Sequence, residues 1–599
     1  MKIKSLLILV LSLVTLTAFG QDGGIKGRVV SRAGRIALGD VKITMTPGGT
    51  TTVSDAQGNF VFENIPAGEY SLQFETPEFE TSNIAVRVGS QMRDINAVIL
   101  VPDTQRQMID DAVFAEFDTE TTDDAQALPT SLSASKDLFN NIASYKFSEM
   151  RFNVRGYDSQ YQDVYMNGIQ LNDAMTGYTP WSLWSGLNDA TRNQEVTSGI
   201  VASDAGLGGI GGTTNIVTSP SQMRQGLRAS LVNGNSMYRF RAMVTYASGH
   251  QDNGWSYAFS VSTRQGGNSY VNGVYYNAFG YFAAVEKQFG QRHRLALTLL
   301  GAPTERGAQQ AATQEAYDLV GNNYYNPNWG WQDGKKRNAR VRNNHEPVVM
   351  LNYTFDISDR SKLDLATSLR FGMNGYSALT WQNGPDPRPD YYRYLPSYFA
   401  LDKNMLGAAW QQVYWQANYQ NIRHFDWDKM YQTNYIQNDP VDEAQYGPGR
   451  RSNYMVEERH TDQLDWNLVA NFSHIFRNNS KIYGGLSLRR NRTEYYSEVK
   501  DLLGGDYWAD IDKFAERDFG SNAIAYQNNL DYYYRHGHAH AAKVGDKYGY
   551  DYYAHVLRTK AWAAYNFNVG GLGVTVGGEV GYASQWREGL WRKGLFPDN

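Results

Sequence analysis

Two short stretches carry residue types that could do chemistry. Residues 206–218 read GLGGIGGTTNIVT, with Gly206, Gly208 and Gly211 on the spacing G-x-G-x-x-G. In a dinucleotide site that spacing follows a strand and opens a helix whose N-terminal N–H groups hold the pyrophosphate, and an acidic residue stands about 20 positions on. Here the glycines run into Thr213-Thr214-Asn215-Ile216-Val217-Thr218, which is β-branched, ends at Pro220 and favours a strand. The residue about 20 positions on is Arg228, in a basic and polar segment. The run is read as glycines that let a tight loop pack, not as a phosphate cradle. The second stretch is RHGHAHAAK at 535–543, where His536, His538 and His540 stand two apart. On a strand all three face one side, where imidazoles suit a transition metal or a haem iron. No cysteine and no fixed carboxylate accompanies them, so they stay a speculative set and no metal or other cofactor is assigned. There is no G-x-S-x-G and no His/Asp/Ser grouping, so the chain is read as a non-enzyme.

The elements that would position these residues are set by the ends and the composition. MKIKSLLILVLSLVTLTAFG, 1–20, has a basic start, an apolar run and small residues before Gln21, which is a secretory signal. The exported chain has no cysteine, so its stability must come from burial or closed hydrogen bonding. A net charge of −5 argues against a nucleic-acid partner. Aromatic residues make up 14% of the chain, beside 57 glycines and a mean hydropathy of −0.53. Aromatic and glycine richness without long apolar helices fits a transmembrane β-barrel, which needs apolar side chains only on alternate residues.

Along the chain, 21–101 holds short alternating runs between Gly, Pro and Asn turns and is read as a β-sandwich with Phe60, Phe62, Tyr70, Leu72 and Phe74 in its core. DAQGNFVFENIPAGEYSLQF, 55–74, resembles the carboxypeptidase regulatory-like domain, an immunoglobulin-like sandwich without catalytic residues of its own. No histidine precedes His250, which excludes zinc peptidase chemistry there. Residues 102–125 form an acidic linker in which Asp110, Asp111 and Glu116 surround Val113, Phe114 and Phe117. It is either a solvated spacer or a tether carrying a docking peptide.

The segment 126–225 is mixed α and β, with a short helix expected over 131–145. FNVRGYDSQYQDVYMNGIQLNDAMTG, 152–177, and TRNQEVTSGIVASDAGLGGIGGTTNIVT, 191–218, resemble the plug domain of TonB-dependent outer-membrane receptors. The matching elements are Arg155-Gly156, Asn167-Gly168, Asn172-Asp173 and the glycines Gly208, Gly209, Gly211 and Gly212, followed by Asn215-Ile216. In a plug the glycines are expected to avoid collision with the barrel wall. The resemblance implies import of a nutrient (glycan, peptide, siderophore or haem), pulled by TonB and its inner-membrane energising complex on a segment ahead of the plug. The contact would be sought at Asp110–Phe117. Tyr157, Gln160, Tyr161, Trp181 and Trp184, in loops between plug strands, are the substrate-facing candidates. A sandwich ahead of a plug resembles receptors of Bacteroidota, many of which work with a surface lipoprotein lid.

From 226 to 599 the chain alternates. In YRFRAMVTYAS, Tyr238, Phe240, Ala242, Val244 and Tyr246 share one face; in WSYAFSVSTR, Trp255, Tyr257, Phe259 and Val261 oppose Ser256, Ser260 and Ser262. Leu363, Leu365, Leu369 and Phe371 oppose Asp364, Ser368 and Arg370. Short turns alternate with long, aromatic-rich connections such as 372–462, the arrangement of an outer-membrane barrel. Those loops are expected to pack by their own aromatic cores, with ring stacking on a ligand as the alternative. Barrels of this kind have about 22 strands; at roughly ten residues per crossing plus loops, 226–599 supplies about a dozen. The expectation is the N-terminal part of a barrel in outer-membrane lipid, with the N-terminal domain periplasmic. A structural or adhesive barrel without energised transport is the alternative.

Overall fold

The computed structural model describes residues 23–100, 145–146, 151–152 and 157–598, apart from 32–36, 77–78, 80–81, 90, 158, 198, 234–237, 268–270, 291, 359, 479 and 570–571. The signal, the linker with its TonB-contact candidates, residues 131–144 of the expected helix and the Arg155-Gly156 pair lie outside the described residues, while Tyr145, expected to end that helix, pairs with Phe152 in a short strand.

The chain divides into two compact units. In the N-terminal unit a three-stranded sheet faces a four-stranded one. Gly23–Ser31 lies between Asn59–Ile65, antiparallel, and Met92–Leu100, parallel. Thr50–Val53, Lys42–Thr46, Gly68–Glu75 and Ser82–Val88 make the second sheet in that order. Strict alternation puts Phe60, Phe62, Leu72 and Phe74 into one core with Ile25, Val29 and Ile43. Phe60 meets Phe74 edge to face at 5.5 Å. Tyr70 is only half-buried, because its hydroxyl reaches out to donate to the carbonyl of Pro66.

The second unit is built on a 13-stranded sheet. Its main path runs in chain order through Gly226–Asn233, Phe240–Ala247, Trp255–Gly267, Tyr275–Phe289, His293–Gly301, Val348–Ser358, Ser361–Trp381, Tyr454–Ile475, Lys481–Asp501, Lys547–Val569 and Leu572–Gly589. Gly226–Asn233 and Leu572–Gly589 are its two edges. Connections at one rim are short, among them 248–254, 290–292, 359–360 and 570–571, while 302–347, 382–453 and 502–546 sit at the other.

The sheet is inside out for a protein in water. Leu365, Leu369, Phe371, Leu464, Trp466, Leu468 and Phe472 stand exposed on its outer face, while Ser368, Arg370, Gln463, Asp465, Asn467 and Asn471 are buried on its inner one. Register aligns the apolar band: Leu363 pairs with Phe472 and Phe371 with Leu464. Each half of that band is about nine residues long, what a tilted strand needs to cross a bilayer (~9–11). A row of exposed leucine, phenylalanine and tryptophan on successive strands, with polar side chains turned inward, is the face a transmembrane β-barrel presents to lipid. At the short-turn rim, Lys287 Nζ lies 4.9 Å over the Trp255 ring and His293 stacks on Phe355 at 4.5 Å, as amphipathic side chains do at a membrane interface.

Tyr238 departs from the expected alternation. Its strand begins at Phe240, and Tyr238 turns inward to pack on Tyr276 at 6.1 Å. The long connection is also shorter than expected at its start, because Ser361–Trp381 continues the sheet through 372–381. Strands of 21, 22, 21 and 23 residues at Ser361–Trp381, Tyr454–Ile475, Lys481–Asp501 and Lys547–Val569 exceed a crossing about twofold and carry the wall on past the apolar band. The loops above them hold short helices, among them Met405–Ala417 and Trp427–Ile436. Trp415 and Trp427 are fully buried in separate loop cores. Among the described residues no helix is long and apolar enough to cross a membrane.

Candidate functional site

The plug is a four-stranded sheet in the order Ile169–Gln170, Asp163–Met166, Thr213–Ile216, Gln194–Thr197. Its central pair is parallel, with Val164 opposite Thr214 and Met166 opposite Ile216. Asn167 and Gly168 have φ of 50° and 81° and turn the chain back in a two-residue hairpin, which demands a left-handed pair at that place. The Asn167 side chain does more than turn. Its amide donates to Thr218 Oγ1 at 2.7 Å, its oxygen accepts from the Thr218 N–H at 2.9 Å, and Asn352 of the wall donates to its carbonyl at 3.1 Å.

Asn172 is the hub of the next loop. Its oxygen accepts from the Val164 N–H, and its amide donates to the carbonyls of Gln162 and Gly177. Asp173 closes the following turn by accepting from the N–H groups of Met175 and Thr176. Four neighbouring wall strands then hold this loop from the inner face. Arg489 donates to the Asn172 carbonyl at 2.7 Å while gripping both oxygens of Asp465 at 2.9 and 2.7 Å. Arg370 lies 3.5 Å from Asp173 and 3.8 Å from Asp465, and also donates to Gln463, which in turn donates to Glu346 at 2.6 Å. Arg558 donates to the Ala174 carbonyl at 2.9 Å. Of these wall residues, sequence reading had placed only Arg370 on the polar face. Inward parity was the available signal for the others.

The glycine run sits beside the central pair. A Cβ on Gly209 would lie 2.6 Å from the Tyr161 carbonyl oxygen, and one on Gly211 2.9 Å from the same atom. Gly208 and Gly212 have φ of 81° and 88°, where an L side chain is strained. The crowding atoms belong to Tyr161, Gln162, Thr197 and Val201, so it is the plug's own backbone that excludes side chains here, not the wall as expected. No helix follows; Thr213–Ile216 is a strand.

Of the substrate-facing candidates, Tyr157 and Tyr161 are 43% and 47% exposed and meet edge to face at 6.1 Å, with Gln160 exposed beside them. Trp181 and Trp184 are placed differently. They are 5% and 3% exposed, 5.4 Å apart, and packed with Leu187 against Ala258, Phe282 and Leu300 of the wall. Those two rings seat the plug. The three histidines do not share a strand face either: His536 ends the helix Leu530–His536, and Gly537 caps it in the left-handed region. The imidazoles gather around the Tyr532 ring at 4.0, 6.0 and 4.7 Å instead of converging on a point. Among the described residues no group of three or more His, Cys, Asp or Glu could hold a metal ion.

A small sandwich, a four-stranded plug and an antiparallel sheet with an apolar outer face and a polar inner face that grips the plug are the parts that the resemblance to TonB-dependent outer-membrane receptors implies. Residues 24–99 match the carboxypeptidase regulatory-like domain family. The chain is similar to the TonB-dependent transporter Oar of Myxococcus xanthus, 34% identical over 100 residues that cover 16% of this chain and 9% of that one. Among solved structures it is similar to the ferric-catecholate import receptor Fiu of E. coli K12, at 11% identity and a TM-score of 0.42, over 72% of this chain and 50% of that one. For the ferric citrate transporter FecA the identity is 11% and the TM-score 0.43, over 76% and 52%. The chain spans about half the length of these receptor structures.

Proposed function

We propose that the protein imports a nutrient across the outer membrane by TonB-dependent rearrangement of its plug, without making or breaking covalent bonds. The observation that carries this reading is the way the plug is held. The loop Asn172–Ala174 is gripped from the wall by Arg370, Arg489 and Arg558 through ion pairs and hydrogen bonds, without a covalent link. Such contacts exchange for water at modest net cost, so a mechanical pull on a segment ahead of the plug has a state to move it to. The acidic segment with Asp110, Asp111, Val113, Phe114, Glu116 and Phe117 is the proposed contact for TonB. Tyr157, Gln160 and Tyr161 are the plug residues proposed to meet the nutrient. Leu401, Met405, Leu406, Trp410 and Val413 leave an exposed apolar face on and beside the loop helix Met405–Ala417, which supports a protein partner there; the proposal takes it to be a surface lipoprotein lid.

Removing residues 104–125 from the chromosomal gene tests the reading. The shortened receptor should still reach the outer membrane, while growth on every nutrient that requires the intact gene falls to the level of the null strain. Growth equal to wild type would leave a structural or adhesive barrel as the better account.

A further inference from the structure

The outer face of the wall carries its cations in two different settings. On the strand Lys481–Asp501, Ile482 and Leu486 stand exposed on that face and are followed by exposed Arg490 and Arg492, while Arg489, Asn491 and Thr493 alternate with them and are buried on the inner face. The hydrogen bonds from Arg489 to Asp465 set the two outward arginines beside Leu464 and Trp466. That is the end of the apolar band nearest the long connection 382–453, and long connections mark the outer side of such a barrel. Further toward the loops, cations on this face are answered by carboxylates. Lys500 pairs with Glu458 at 2.7 Å, Lys547 pairs with Glu494 and with Asp551, and His460 lies between Glu458 and Asp462 at 3.7 and 3.4 Å.

Arg490 and Arg492 make no ion pair among the described residues. Arg492 holds its guanidinium 4.8 Å over the Tyr553 ring. Glu494, two residues on, is taken by Lys547, and Glu588, which pairs with Tyr553 across the ladder, is taken by His555 at 2.9 Å. Two unanswered guanidinium groups at the edge of a hydrocarbon layer are costly unless an anion meets them, and their long stems let the heads reach the polar boundary of that layer. Outward neighbours on one strand stand about 6.6 Å apart, so both side chains can close on one phosphate, whose oxygens suit the planar fork of an arginine. We propose that Arg490, Arg492 and Tyr553 form a binding site for the phosphate group of a lipid in the outer leaflet. The two guanidinium groups and the Tyr553 hydroxyl donate to the phosphate oxygens, and the acyl chains lie along Leu464, Trp466 and Leu486. The occupant is a lipid and not free phosphate because the site is continuous with the apolar band, where acyl chains bury their own surface. The site is independent of the import reading.

The native protein, purified from the outer membrane and stripped of lipid in detergent, is titrated with lipid A, and the bound lipid is counted by native mass spectrometry. A second titration uses lipid A from which the phosphates have been removed. The parent should bind the phosphorylated lipid at least about tenfold more tightly, the scale of a few charge-assisted hydrogen bonds. The double variant Arg490→Gln, Arg492→Gln should bind both lipids alike, at the parent's level for the stripped one. Each single change, measured in case the pair folds poorly, should lower the preference severalfold. A control with Lys287→Gln and Lys500→Gln removes the same charge elsewhere on the outer face and should keep the preference. The proposal is overturned by a parent without preference, by arginine variants that keep it, or by a control that loses as much, which would mean diffuse attraction. Inorganic phosphate at the concentration of the lipid should leave the lipid bound; displacement would make this a site for free phosphate and would overturn the lipid assignment. None of these readings uses TonB or transport, so their failure is distinct from failure of the import reading, which the 104–125 deletion decides.

Discussion

In the N-terminal sandwich Phe60 and Phe62 point into the core while Val61 and Glu63 face water; in the strand Tyr454–Ile475 the inward side chains are Gln463, Asp465 and Asn467 and the outward ones Leu464, Trp466 and Leu468. Both regions obey one period of two, and they point their apolar halves in opposite directions. The difference is made by what stands on each side. Seven short strands close a core against themselves, whereas the long strands turn polar and small side chains toward the plug and their apolar face to lipid. Alternation alone therefore identifies strands, and the solvent on each face is decided by strand number, strand length and what fills the interior.

The comparison is broken most strongly at Phe74, fully buried in the sandwich. Phe74→Ala should cost about 3–5 kcal/mol, read as a lower denaturant midpoint of the N-terminal domain, because the neighbouring strands cannot close on the void. Phe472→Ala, outward on the wall, should cost far less, since lipid chains fill the space that a rigid core leaves empty. Equal costs would mean that the outer face of the wall is packed against protein. Next in size is Leu468→Arg, at the middle of the apolar band, which should cost about 2–4 kcal/mol when folding is measured in lipid vesicles. The same change at exposed Val61 in the sandwich should stay within about 0.5 kcal/mol. Tolerance of arginine at 468 would place that face in water.

How much of this was legible beforehand follows the same physics. Parity of the wall strands after Tyr238 and the sandwich core apart from Tyr70 could be read directly, because each depends on residues within a few positions of one another, whereas the Asn167-Gly168 and Asn172-Asp173 pairs came from the resemblance to plug domains. The clamp could not. Arg489 reaches Asn172 across 317 positions and Arg558 reaches Ala174 across 384, so their meeting depends on the order of strands around the plug. The glycine run was recognised as packing, yet the atoms it packs against belong to Tyr161 and Thr197, brought beside it by the parallel pairing of Asp163–Met166 with Thr213–Ile216. Trp181 and Trp184 misled for a related reason. A tryptophan in a connecting segment reads as a ligand contact until the facing wall is seen to offer alanines and a phenylalanine to bury it.

The smallest expected effect lies back in the sandwich, at a carboxylate in water. Asp55 is exposed at the turn before Asn59–Ile65, where one oxygen accepts from the N–H groups of Asn59 and Gln57 at 2.8 and 2.9 Å. The hydrogen bond from the Asn59 backbone is the main cause that holds its pKa below the usual 3.8, with Arg28 adding a little. Because the folded value is depressed, the folded domain binds fewer protons than the unfolded chain near pH 3.8. Its contribution is thus complete above that pH and disappears as pH falls through the folded value. The amide of Asn59, followed by NMR in the isolated domain, should exchange faster over that acid interval while amides of the Phe60–Phe74 core stay protected. Asp55→Asn should remove the pH dependence at Asn59. An Asn59 amide whose protection is flat to pH 2 would show that the turn is held by its backbone alone, and that the sandwich, unlike the clamped plug, uses none of its charge to fix a loop.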